Sequence, residues 1–229
     1  MIEVITFDLD NTLWETNNTI LRADSSMRAW LSSHVPEFEK EFDLDAISAV
    51  REEVVRDSPD LSHDVSRIRT EVLFRAIQHC GYSDAEARTF ADGAFQVFLH
   101  GRHNVSFFEG ALEMLEALSK HYMLGVLTNG NADFRRLGLN QFFSFGFSPA
   151  EVGSSKPHPA MFEAALERTG VAATRAVHVG DHPVDDIQGA REVGMFTIWV
   201  NRAGTENNVN ASFEVSHLEE IPAAIKMLI

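Results

Sequence analysis

The chain has 229 residues, 45% apolar and 23% charged, enough to bury the core of one large domain or two modest ones. Its 34 acidic and 19 basic residues leave a formal net charge of −15, a field that repels phosphate backbones and anionic lipid and so argues against nucleic-acid or membrane partners. A single cysteine, Cys80, permits neither an internal disulfide nor a cysteine-pair metal site.

Residues 2–7, IEVITF, are β-branched and aromatic and predict a buried strand running into the acidic stretch FDLDNTLW. The opening has no basic segment followed by an apolar run, and no stretch approaches the about 20 apolar residues of a membrane span, so a soluble cytoplasmic protein is expected. Residues 16–104 hold no strand pattern. They carry helical patterns at ILRADSSMRAWLSSHV, LDAISAVREEVVRD, HDVSRIRTEVLFRAIQHCG and DAEARTFADGAFQVFLH. Four strand-like runs follow: MLGVLT (123–128), FFSFGF (142–147), AVHVG (176–180) and FTIWV (196–200). Between them lie helical patterns in FEGALEMLEALSKH, HPAMFEAALERTG and PVDDIQGAREVG, the last two stopping at Gly170 and Gly194. Strands alternating with helices predict an α/β fold, a doubly wound parallel Rossmann-like sheet. The expected organisation is a core domain in two pieces, 1–15 and 105–229, with an all-helical cap domain inserted at 16–104.

In such a sheet, ligands bind beyond the carboxyl ends of the strands. The first strand is followed by Asp8 and Asp10, the second by Thr128, Asn129 and Gly130, and the fourth by Asp181, with Asp185 and Asp186 close behind. Lys156 sits in SSKPHP, between the third and fourth strands. Taken singly, each fragment has a plain structural reading. A D-x-D is a turn or a cap, T-N-G a tight turn, Lys156 a surface lysine, and Asp185-Asp186 the acidic first turn of a helix. Together, clustered carboxylates repel and call for a divalent cation. Oxygen donors without a histidine–cysteine set point to Mg2+ rather than zinc, and Lys156 with the turn amides suits a phosphoryl group.

The motifs DLDNT, LTNG, SSKP and VGDHPVDD, in this order, resemble the four motifs of the haloacid dehalogenase superfamily, and the helical insertion is similar to its C1-type cap. HDVSRIR, LTNGNA, LGL and HVGD look most like the bacterial phosphatases that act on flavin mononucleotide and on the phosphorylated riboflavin precursor 5-amino-6-(5-phosphoribitylamino)uracil. The resemblance implies a Mg2+-dependent phosphomonoester hydrolase working through an aspartyl-phosphate. Asp8 would be the nucleophile and Asp10 the general acid, then base. Asp8, Asp181 and the carbonyl of Asp10 would hold the metal. Thr128 and Asn129 would hold the phosphoryl group, Lys156 would neutralise its charge, and Asp186, with Asp185 in reserve, would orient the lysine.

The helical pattern after His63 gives finer expectations. Val65, Ile68, Val72 and Ala76 form an apolar stripe, with Asp64, Arg67, Glu71, Arg75 and Gln78 opposite. Arg69 falls on the apolar side, where it serves either a buried ion pair or a substrate group, and His63 could face a cleft. Trp14 is either core or a platform for a planar substrate. His178, within an apolar strand, reads as a satisfied core residue. Alternatives are a phosphomutase or nucleotide phosphatase of the same superfamily, a non-catalytic binding module and, against Asp10, a 2-haloacid dehalogenase. Such dehalogenases resemble this chain at the nucleophile but lack an aspartate at the matching second position.

Overall fold

The computed structural model describes residues 1–206 and 209–228. The chain forms two units, Met1–Thr16 together with the chain from Val105 on, and Asn17–Asn104. In chain order, β1 (Val4–Phe7) is followed by five helices of the second unit: α1 (Asn17–His34), α2 (Phe38–Glu41), α3 (Leu44–Asp57), α4 (Val65–His79) and α5 (Asp84–Arg102). The first unit resumes with α6 (Ala111–Ser119), β2 (Met123–Leu127), β3 (Phe143–Phe147), α7 (Pro149–Val152), α8 (Ala160–Thr169) and β4 (Ala176–Gly180). It ends with α9 (Gly189–Glu192), β5 (Phe196–Val200), β6 (Phe213–Val215) and α10 (Ile221–Lys226).

The six strands make one sheet in the order β3-β2-β1-β4-β5-β6, every pairing parallel. β1 and β4 are buried along their whole length, as parallel strands covered on both faces must be. Side chains alternate between two apolar layers. Ile5, Phe7, Val177 and Val179 join Leu115, Ile221 and Ile225 on one side, while Val4, Ala176 and Leu127 join Met161, Phe162 and Phe145 on the other. From β1 the chain builds outward to β2 and β3, then returns to lay β4 against the opposite edge of β1. The strand order reverses there, and the carboxyl ends of β1 and β4 open the crevice where doubly wound sheets bind ligands.

The sequence patterns locate five strands and miss β6, a three-residue element. The pattern PVDDIQGAREVG resolves into a π-helical turn, Pro183–Gln188, leading into the short α9.

The helical unit has its own apolar core, from Ala23, Met27 and Leu31 to Ile68, Val72, Ala76, Ala87, Ala91 and Phe98. Three of its helices, α3, α4 and α5, start on side-chain caps: Asp43 accepts from Ala46 N–H, Asp64 from Ser66 and Arg67 N–H, and Ser83 forms a capping box with Glu86. Val65 departs from the expected stripe. As the first residue of α4 it lies beyond the packed turns and is 41% exposed. Among the described residues, no helix is long and apolar enough to cross a membrane.

Gly125, in the middle of β2, marks the register shift against β3. A Cβ there would lie 2.2 Å from the Phe145 ring. Gly125→Ala must therefore displace a buried aromatic side chain. The expected loss of stability is about 1–3 kcal/mol in urea unfolding, with secondary structure retained by circular dichroism.

Candidate active site

Asp8 continues β1 past its last residue, its N–H donating to Val179 O at 2.9 Å. That bond ties Asp8 to the end of β4 and leaves its side chain at the floor of the crevice, 7% exposed. The backbone then turns sharply. Asn11 takes a left-handed conformation (φ 59°), and its side-chain oxygen accepts from Thr16 N–H at 3.1 Å. This turn presents Asp10, whose Oδ1 accepts from Trp14 Nε1 at 3.0 Å and Thr16 Oγ1 at 2.8 Å. Trp14 itself is fully buried, edge-on to Phe107, so of its two expected roles the structure shows the core one, with the indole N–H spent on Asp10.

Lys156 is the charged centre. Its ammonium donates to Asp8 Oδ1 at 2.8 Å, Asp186 Oδ1 at 2.5 Å and the Leu127 carbonyl at 2.6 Å, so all three N–H groups have acceptors. Of the acidic pair after β4, Asp186 is the one that meets the lysine. Asp185 lies beside Asn129 Nδ2 at 3.3 Å. The Asn129 side chain clamps the lysine's main chain, donating to Lys156 O at 2.9 Å and accepting from Lys156 N–H at 2.8 Å. The buried Thr128 hydroxyl accepts from Gly130 N–H at 3.1 Å, which leaves its own proton to donate.

Asp186 needs room beneath β4, and Gly180 supplies it. A Cβ at 180 would lie 2.2 Å from the Asp186 carboxyl carbon. Asp186 Oδ1 lies 3.1 Å from His178 Nε2, and Oδ2 accepts from His182 N–H at 2.9 Å. Asp181 completes the set. Thr12 Oγ1 lies 3.1 Å from Asp181 Oδ1 and 3.4 Å from Asp8 Oδ2, and Trp199 Nε1 donates to the Asp181 carbonyl at 2.9 Å.

The charges of this site are not balanced by its own residues. Burial raises the Asp8 carboxyl well above its ordinary range. Lys156 pulls it down, while Asp186, Asp10 and Asp181 push it up again. Burial, then Asp186, pushes Asp181 up to about 6. For Asp186 burial acts the same way, but Lys156 and His178 outweigh it and hold the carboxyl below its ordinary value. Lys156 is held above its ordinary value because Asp186 and Asp8 outweigh the burial that would lower it. Carboxylate oxygens of Asp8, Asp181 and Asp186 lie within 4.8 Å of one another. Since Lys156 already serves Asp186 and Asp8 Oδ1, Asp8 Oδ2 and the Asp181 carboxylate are the oxygens left for a cation. An oxygen-only set that burial drives toward protonation fits a hard divalent ion.

Arg69 and His63 belong to the helical unit. Arg69 Nη1 donates to Asp24 at 2.6 Å, and its guanidinium lies 3.7 Å from the centre of the Phe98 ring, so an ion pair inside that unit accounts for a cation on the apolar side of α4. Arg75 bridges Glu71 and Asp57, and Gln78 donates to Asp84. His63 lies in the turn before α4. Sequence reasoning did not find Thr12, Trp14 and His178 as neighbours of the acidic groups. Thr12 was visible only as part of DLDNT, and His178 as the one polar residue besides glycine in its strand.

A family model for haloacid dehalogenase-like hydrolases matches residues 5–200, from β1 through β5. The chain belongs to that family. Among curated members, this hydrolase is 31% identical over 199 residues to the 5-amino-6-(5-phospho-D-ribitylamino)uracil phosphatase YigB of Escherichia coli, covering 87% of this chain and 83% of that protein. It is 33% identical over 160 residues to a phosphoserine phosphatase of Thermus thermophilus, covering 67% of this chain and 63% of that one. Among solved structures, a crystal structure described as a 2-haloacid dehalogenase from Pseudomonas syringae pv. tomato superposes over 100% of both chains with a TM-score of 0.97 and 41% identity.

The raised Asp181 carboxyl has a measurable consequence in metal-free buffer. A group whose folded value exceeds its ordinary 3.8 favours folding at low pH and loses that contribution as pH rises toward about 6. Asp181→Asn removes this loss. The melting temperature of the variant relative to the parent should therefore rise across that window, read by a pH series of thermal melts in chelator. A flat difference contradicts the assignment.

Proposed function

We propose that this hydrolase cleaves small phosphomonoesters through an aspartyl-phosphate on Asp8, with Mg2+ as its metal. The observation that carries the reading is Asp10. Expelling an alkoxide from phosphorus requires a proton for the leaving oxygen, and Asp10 stands two residues from Asp8, oriented by Trp14 and Thr16. Displacing halide from carbon needs no such acid.

In this mechanism an Asp8 carboxylate oxygen attacks phosphorus while the ester P–O bond breaks, and Asp10 gives its proton to the departing oxygen. Asp10, now ionised, takes a proton from the water that attacks the same phosphorus, which releases phosphate and restores Asp8. Lys156 faces Asp8 at 2.8 Å, where its charge offsets negative charge gathering on the phosphoryl oxygens. The Thr128 hydroxyl donates to one of those oxygens. Asn129 acts through the lysine, whose main chain it fixes. Asp8, Asp181 and the Asp10 carbonyl would hold Mg2+, which supplies further charge neutralisation at the phosphoryl group. Arg69 is engaged by Asp24 within the helical unit. Positioning and electrostatics together must supply on the order of 20 kcal/mol, because uncatalysed phosphomonoester hydrolysis is among the slowest reactions known.

The substrate class follows the likeness to YigB across most of the chain, which favours a ribityl phosphate of the riboflavin-precursor type, with flavin mononucleotide next. A second reading, 2-haloacid dehalogenase, has the description of the 41%-identical structure in its favour. Hydrolysis of p-nitrophenyl phosphate that EDTA abolishes and Mg2+ restores is the expected result. Halide release from 2-chloropropionate without metal would replace this reading with the second. Asp8→Asn should cost about a thousandfold or more in kcat. A panel of metabolite phosphates, ranked by kcat/KM, then fixes the substrate.

A further inference from the structure

The sheet interior carries a polar row that its apolar layers do not explain. Thr6 on β1, His178 on β4 and Thr197 on β5 stand in register on adjacent strands, all fully buried. A β-branched apolar residue at 178 would suit a central parallel strand, and an imidazole there costs stability unless both ring nitrogens are satisfied. Both are. Nδ1 lies 2.8 Å from Thr6 Oγ1 and Nε2 lies 3.1 Å from Asp186 Oδ1. Phe162 packs edge-on against the ring at 5.2 Å between centres and fixes its plane.

The partners also decide where the imidazole proton sits. Asp186 Oδ1 already accepts from the Lys156 ammonium, and Oδ2 accepts from His182 N–H. A carboxylate so placed has only acceptor capacity to offer. The proton of the His178–Asp186 bond is therefore on Nε2, and Nδ1 accepts from the Thr6 hydroxyl, which can donate as well as accept.

We propose that His178 is a positioning residue: its Nε2–H, drawn to that nitrogen by Asp186 and accommodated at Nδ1 by Thr6, holds the Asp186 carboxylate in the orientation that aims the Lys156 ammonium at Asp8. This rests on the phosphatase reading for what Lys156 does, though not for the geometry. Without the Nε2–H, Oδ1 of Asp186 keeps only the lysine as donor. The carboxylate then turns on the His182 contact and draws the ammonium away from Asp8. The strand fixes the ring, the ring fixes the carboxylate and the carboxylate fixes the cation.

Two substitutions separate the role from simple packing. In His178→Gln the side-chain amide nitrogen reaches the place of Nε2, whereas in His178→Asn it reaches only the place of Nδ1. With p-nitrophenyl phosphate, His178→Asn should lose about tenfold to a hundredfold in kcat, and His178→Gln should stay within about threefold of the parent. KM should hold within about twofold in both, since neither touches the phosphoryl-binding turn. Equal kcat in the two variants, or losses that follow their melting temperatures, overturns the proposal. A readout independent of turnover comes from 15N-histidine NMR of the parent protein, with the 178 signal assigned by its disappearance in His178→Gln. A neutral ring protonated on Nε2 is expected, and a ring protonated on Nδ1 overturns the proposal even if His178→Asn fails to fold. Thr6→Val leaves Nδ1 without a partner and should lower kcat, and an unchanged kcat removes Thr6 from the arrangement. A parent with no phosphatase activity defeats the preceding functional reading, and the NMR result still decides the His178–Asp186 geometry.

Discussion

A lysine ammonium buried to 3% exposure among two carboxylates and a main-chain carbonyl sets the terms for the rest of the molecule. An ion so deep is tolerable only if every N–H has an acceptor and the opposite charge lies in contact. Three separate strand ends meet those conditions: β1 brings Asp8, β2 brings the Leu127 carbonyl, and the turn after β4 brings Asp186. The parallel order β2-β1-β4 places those ends side by side. The sheet topology and the site chemistry are thus one constraint seen at two scales.

The lysine balances only part of the acid it touches. Asp186 is held in its ionised form, while Asp8 and Asp181 are both pushed toward protonation by burial and by each other's neighbours. The arrangement is therefore asymmetric, with one carboxylate satisfied from within the chain and two left short of positive charge.

Much of this was legible in the chain itself. Five strands announce themselves because each is a mainly apolar run ended by a polar turn, buried throughout in β1 and β4, the pattern that burial on both faces imposes. β6 and α10 escaped because they are too short to carry a period. Phe213–Val215 pairs only with the edge of β5, and Ile221–Lys226 is held by burying Ile221 and Ile225 rather than by helical propensity. At the site, the residue types at the strand ends were visible, while their division of labour came only from the resemblance. Sequence spacing cannot show that Asn129 grips the lysine's backbone, and the motif resemblance favours Asp186 over Asp185 without the physical reason. The π-helical turn after His182 supplies that reason, with Asp186 buried under Gly180. Arg69 illustrates the opposite case. A cation on an apolar helix face invites a functional role, and Asp24 and Phe98 supply a structural one.

The clamp formed by Asn129 bears on how the protein is assembled. One amide side chain joins the loop after β2 to a lysine 27 positions downstream and to an acid 56 positions downstream. Asp8 reaches the same lysine across 148 positions. The stretch 127–186 carries the lysine, its carbonyl acceptor and Asp186, but the carboxylate that completes the ammonium's set comes from β1, at the other end of the helical insertion. A polypeptide whose β1 is not yet docked holds the lysine and Asp186 without the Asp8 carboxylate. Competence of the centre therefore requires β1, β2 and β4 to be docked side by side, and it is lost when any of those three leaves.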